Sequence, residues 1–280
     1  THFVPGTWYS HAGILTQKAP AVTDSVIDLQ NRFVIPPGGD ACSASLVSGA
    51  ALDMMLQNYW QEGVYYVQMP GNRRIDREEA TPRLASPDSP EVTFGNGGIT
   101  CTLGHPFLEY EGPANNLKNP LVWESKMDEL KTQRKMMGDG YWFIDSKEAL
   151  NSQWDKIKAQ NPGFIHIYLL DAEKSGGKPG KGLTPEVAKA VVKKAHKSDL
   201  RVLAHVETVE DLRLGLKIGV DAFANIPGNT WNGKDDKKMY ELTDDDWKKL
   251  AKKQTPTALL LSLGQIPGAD MTAIQAFHAS

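Results

Sequence analysis

Short apolar runs alternate regularly with amphipathic helical stretches through the second half of the chain, and this alternation predicts an α/β fold built on a parallel sheet. Two further observations narrow the class. The run Phe164–Leu170 is almost continuously apolar, as strands buried on both faces of a parallel sheet are. After the N-terminal segment, seven strand-like runs can be counted, one short of a closed (β/α)8 TIM-type barrel, which is the leading architecture. An open doubly wound sheet is the alternative. No Gly-rich phosphate turn follows any strand, and Gly176–Gly182 has the glycines but neither the spacing nor the Ser/Thr of a P-loop, so it reads as a loop.

The elements follow in order. Thr7–Tyr9 and Gly13–Thr16 read as short strands, and Val26–Leu29 as a short apolar stretch. Arg32–Ile35 reads as a buried strand stopped by Pro36, Pro37, Gly38 and Gly39. Within Ser48–Gln61, Leu52, Met55, Leu56 and Tyr59 share one helical face. Val64–Met69 is a strand. Residues 70–137 look less regular, with a polar, helical stretch over Pro120–Met136. Tyr141–Asp145 is a strand, and Ser146 can cap the helix after it. Thr184 and Pro185 start a helix that runs to about Lys197. Arg201–Val206 is the next strand, and Thr208 with Asp211 makes a capping-box pair for Val209–Ile218. Asp221–Asn225 is a strand, Thr243 caps Asp244–Lys253, and Thr257–Leu263 is a further strand.

Composition sets the broad class. The 280 residues are 40% hydrophobic and 23% charged, as in an ordinary globular protein. With 31 Lys+Arg against 34 Asp+Glu the net charge is −3, which argues against nucleic acid as a partner. No apolar run approaches the roughly 20 residues that cross a bilayer, so no membrane partner is expected. Cys42 and Cys101 do not make a disulfide framework. No basic, then apolar, leader opens the chain, so any signal peptide is expected to be already removed. Lys234–Lys238 is a solvated charge run.

In a barrel the chemistry sits at the C-terminal ends of the strands. Those positions hold Asp40, Cys42 and Ser43 after the first strand, then His166 leading to Asp171 and Glu173. His205 and Glu207 follow on the next strand, and Asn225 on the one after it. His105 follows the Gly-rich piece Gly95–Gly98 and could reach a substrate or a metal. Each has a plainer reading: Cys42 as a small buried hydrophobe, His166 as a buried strand histidine, Asn225 as a turn residue, His105 as a loop stabiliser. His2, His11, His196 and His278 read as surface or packing residues.

Several of these segments carry a resemblance. Val34–Ala41 resembles the first barrel strand of the amidohydrolase superfamily, just before its His-x-His metal pair. Arg201–Gly228 resembles that family's fifth strand, helix and sixth strand, each strand of which gives one metal-binding histidine. Asn161–Tyr168 resembles its fourth strand, where many members carry a carboxylated lysine bridging two metals. The N-terminal segment resembles the small β-sandwich placed ahead of the barrel. On this resemblance residues 1–30 are a partial β-sandwich segment and residues 31–280 a barrel incomplete at its C-terminus. The implied activity is hydrolysis of C–N or ester bonds of a small molecule by a water activated on a divalent metal, zinc being the expected ion.

Carried over position by position, the likeness falters at the ligands. The His-x-His pair falls on Cys42 and Ala44, the lysine on His166 and the sixth-strand histidine on Asn225; His205 alone is retained. The eighth-strand aspartate has no counterpart up to Ser280. A paired-metal site cannot be assembled from this set, and three readings stay open. One is a single-ion site on His205 and His166 with Cys42. Another is metal-free, with Cys42 as nucleophile, His205 or His166 as base and Asn225 orienting. In the last the ancestral site is lost and the barrel acts in binding or as a scaffold. Unpaired edges on the first and seventh strands would invite aggregation, so a segment beyond Ser280 or another copy of the chain is expected to complete the barrel. The likeness of the N-terminal segment to exported members implies a periplasmic or secreted location.

Overall fold

A computed structural model of the chain describes residues 6–11, 14–30, 32–170, 182–228 and 237–258. The chain divides into two compact units, residues 1–37 and 38–280. In the first, β1 (Tyr9–His11) and β2 (Ile14–Thr16) pair antiparallel with Ser10 opposite Leu15. The strand expected at Arg32–Ile35 does not form, and Phe33, Val34 and Ile35 are 67%, 52% and 68% exposed. The physical reason is the pair Pro36–Pro37, which has no N–H to give to a ladder. Pairing begins at Gly38, whose N–H donates to the Gly63 carbonyl at 2.8 Å. Val26 and Ile27 are likewise exposed and outside any strand.

The second unit is a mixed α/β fold whose strands pair in parallel. β3 (Gly38–Asp40), β4 (Val64–Met69) and β5 (Glu91–Phe94) form one sheet in that order. β6 (Gly98–Thr100), β7 (Tyr141–Phe143), β8 (Ile165–Tyr168), β9 (Val202–His205) and β10 (Ala222–Phe223) form another, ordered β10-β9-β8-β6-β7. Between β5 and β6 the chain passes tightly at Gly97, where a Cβ would stand 2.5 Å from the Asp139 carbonyl oxygen. Beyond β10, Thr257 bridges Phe223 in parallel and the Ala258 N–H donates to the Phe223 carbonyl at 2.9 Å. That is the start of the strand expected at Thr257–Leu263; its remainder lies outside the described residues.

The helices pack on one side of the larger sheet. α5 (Lys147–Ala159) starts at Ser146, whose hydroxyl accepts the Ala149 N–H at 3.1 Å. α6 (Pro185–His196) starts at Thr184, and α7 (Val209–Ile218) and α8 (Asp244–Lys253) carry the capping boxes Thr208–Asp211 and Thr243–Asp246. Ile165, Ile167, Val202 and Ala204 meet Trp154 of α5, Val187 and Val191 of α6 and Leu212 of α7 in the main core. Because strand side chains alternate, Phe164, His166, Tyr168, Leu203 and His205 face the other way. There Phe164, Leu203 and Ala224 pack with Cys42, which follows β3, so the two sheets approach one another as the walls of a barrel would.

The stretch 70–137 is more ordered than its sequence suggests. α1 (Leu52–Gln61) precedes it, and within it lie α2 (Arg74–Arg83), β5, β6 and α3 (Phe107–Ala114). Pro120–Met136, expected as one helix, is two 3-10 turns at Pro120–Val122 and Glu124–Lys126 followed by the short α4 (Met127–Gln133). No helix among the described residues is long and apolar enough to cross a membrane.

Candidate site at the strand ends

His166 and Tyr168 stand two residues apart on β8, so both project from its inner face, and His205 ends β9 beside them. His105 reaches the same place from the loop before α3. Tyr168 is the hub, with ring centres 4.5 Å from His166, 5.1 Å from His105 and 5.6 Å from His205. His105 and His205 are 5.7 Å apart, and His166 and His205 6.1 Å. The ring of Tyr168 fits only because Gly98 on β6 has no side chain; a Cβ there would meet it at 2.5 Å.

The cluster is uncharged at its centre. His166 is fully enclosed, and among the described residues neither ring nitrogen has a well-formed hydrogen-bond partner, the nearby Pro70 backbone being only a minor influence on it. Burial, and then the nearby His205 and His105, hold its pKa well below the usual imidazole range. Burial followed by His105 lowers His205 to about 4. Burial raises the Tyr168 phenol well above its ordinary value, so it stays a neutral donor. Thr100 projects from the same face of β6 as Gly98, and its Oγ1 is also buried without a partner. At the rim, His105 Nδ1 lies 3.1 Å from Glu109 Oε1. Burial alone would raise the Glu109 carboxyl, but the His105 hydrogen bond outweighs it and the net shift is downward.

Cys42 and Asn225 have other surroundings. Burial, reinforced by the charge of Asp40, pushes the Cys42 thiol up to about 11, whereas reactive thiols are shifted the opposite way. Its neighbourhood is a structural knot: Tyr59 donates to Asp40 Oδ2 at 2.7 Å, and its hydroxyl shares a 2.6 Å hydrogen bond with Ser43. Asn225 is 1% exposed, and its amide is fully engaged with main chain. Oδ1 accepts the Val206 N–H at 3.0 Å, while Nδ2 donates to the Val206 carbonyl at 2.5 Å and to the Ile226 carbonyl at 3.3 Å.

Of the residues singled out from sequence, the structure therefore brings His105, His166 and His205 together. Cys42 lies against the inner face below them, and Asn225 is built into the backbone at the end of β10. Asp171, Glu173, His2 and His278 lie outside the described residues. Tyr168, Thr100 and Glu109 were not singled out; the i, i+2 spacing of His166 and Tyr168 was the signal that both share one strand face. Among the described residues no three His, Cys, Asp or Glu side chains are disposed to hold a single metal ion. The donors among the described residues thus do not by themselves make the metal centre that the resemblance implies. A cavity of about 330 Å³ adjoins β3, β4 and β5, lined by Asp40, Tyr66, Gln68, Glu91 and Thr93 among others.

No family model and no curated protein matches the chain. Solved structures do. A Xaa-Pro dipeptidase with methionine bound in its active site superposes with a TM-score of 0.55 at 15% identity, over 87% of this chain and 58% of that one. An amidohydrolase gives 0.58 at 14% identity over 87% and 57%. The ochratoxinase of A. niger gives 0.52 at 15% identity over 87% and 54%. The chain spans little more than half the length of each of these structures. At such identities the likeness establishes the fold alone, an α/β fold shared with these hydrolase structures.

Proposed function

We propose that the chain is an amidohydrolase-type (β/α)8 barrel that binds a small molecule bearing a C–N or ester linkage at the C-terminal ends of β8 and β9, acting by binding and not by hydrolysis. The observation that carries this reading is the cluster itself. Two neutral imidazoles and a phenol converge at the strand ends, where barrel sites form, and His166 and Thr100 offer hydrogen-bonding atoms that no group among the described residues satisfies. The fold's solved relatives include a dipeptidase, an amidohydrolase and an ochratoxinase, which supports small amide-type compounds as the first ligands to try. Nucleophile chemistry has little support, because Cys42 is held as a thiol and Asn225 is not free to orient a base.

The test is a thermal-shift screen with N-acyl amino acids, Xaa-Pro dipeptides and simple esters, with chromatography of the same mixtures for products. Saturable stabilisation without product, lost in His205→Ala, is the expected result. A screen with no stabilising compound counts against the reading. A second reading keeps hydrolysis, with His166 and His205 holding one divalent ion. Its support is the pair of unpartnered ring nitrogens on His166, and product formed only with added metal would favour it.

A further inference from the structure

We infer that Asn225 is a protein-only clamp on the strand ends, standing at a position where the resembled enzymes place a metal ligand, and that the described strand ends neither retain nor need a divalent ion. A carboxamide carries an acceptor and a donor side by side, the same pair a peptide group presents. Asn225 uses both on one residue, accepting the Val206 N–H and donating to the Val206 carbonyl. Val206 directly follows His205, so the clamp ties the end of β9 to the end of β10 at the place where two strand-end histidines would otherwise share an ion. A histidine at 225 could not do the same work. Its donor and acceptor lie on different sides of the ring, and a nitrogen bound to a metal is lost to the backbone.

The other positions agree with this. Ala44 offers a methyl group in place of a ligand. Cys42 packs against Phe164, Leu203 and Ala224, an apolar setting that opposes the thiolate a metal would require. Tyr168 stacks against both His166 and His205, its ring centre closer to each than they are to one another. The strand ends are therefore joined by an amide clamp and aromatic packing among neutral rings. The inference extends the binding reading but fails separately from it, because no ligand enters its measurements.

The experiment uses untagged protein purified without chelator or added metal. Elemental analysis should find far less than the roughly one ion per chain of a resident site, and the melting temperature should be the same with EDTA, with excess Zn²⁺ and with neither. Asn225→Ala should melt lower than the unaltered chain, by the same margin with and without Zn²⁺. About one ion per chain, removed by EDTA with a fall in melting temperature, overturns the inference. So does a saturable rise in melting temperature on adding Zn²⁺ to the unaltered chain. If Asn225→Ala does not fold, the two measurements on the unaltered chain still decide the matter.

Discussion

Tyr168 touches three imidazole rings and is itself enclosed, so the shape of the cluster depends on the space Gly98 leaves for it. Gly98→Ala puts a methyl group into that ring at a non-bonded distance no real contact adopts. The ring must then swing away or the strands must part, and overpacking of this kind costs about 1–3 kcal/mol. Urea unfolding should show a loss in that range, and the histidine resonances of the cluster should shift together. At Cys42 the prediction concerns rate. A thiol pushed up to about 11 is almost wholly protonated at neutral pH, so iodoacetamide should label Cys42 far more slowly than a free thiol. Rapid, stoichiometric labelling at pH 7 would revive the nucleophile reading. The side chain at 42 was identifiable as a candidate from its place after β3, but its protonation state was not. That state depends on Phe164, Leu203 and Asp40, of which only Asp40 is near in sequence.

Among the elements, the helices of the second half were legible because their start signals are local. Thr208 and Asp211, and Thr243 and Asp246, exchange hydrogen bonds across three residues, which any sequence window contains. α2 was not legible, because its cap is an Arg–Asp pair without a Ser, Thr, Asp or Asn at the cap position, and part of its anchor reaches back to Ser48. Asp76 accepts the Arg73 and Ser48 N–H groups and pairs with the Arg73 guanidinium at 2.6 Å, while the helix itself has little apolar periodicity. Burial opposes the ionised Asp76, yet the Arg73 hydrogen bond and the backbone donors bring its pKa below the ordinary carboxylate value. The two kinds of anchor should respond differently to mutation. Thr208→Ala removes one cap and should cost about 1 kcal/mol. Asp76→Ala strands two half-buried N–H groups together with a cationic partner and should cost about 2–3 kcal/mol. Chemical denaturation of the two variants checks the order; equal losses would mean that the Asp76 network contributes no more than a cap.

For the whole molecule, the buried histidines set a direction for pH dependence. His205 lies at about 4 in the folded chain against an ordinary 6.5, and His166 is also lowered. Both bind protons more readily unfolded than folded, so this part of the stability is fully present above about pH 6.5 and is lost progressively as pH falls toward 4. The melting temperature should therefore decline across that window, and His205→Gln should flatten the decline. A melting temperature constant from pH 6.5 to 4 would mean that the two rings are solvated in the folded protein.

By itself the sequence determined the parallel α/β class, the capped helices from Ser146 onward and the strands that carry His166 and His205. These rest on local periodicity and on caps a few residues apart, and each helix buries the face its pattern marks. Only the tertiary structure decided what those residues meet. It left Phe33–Ile35 out of any strand, because the prolines that follow cannot donate to a ladder. It gathered His105 and Gly98 around Tyr168 from separate elements, and it engaged Asn225 with the backbone of Val206. The last two outcomes depend on partners more than a dozen residues away, whose burial and hydrogen bonds exist only once the strands stand side by side.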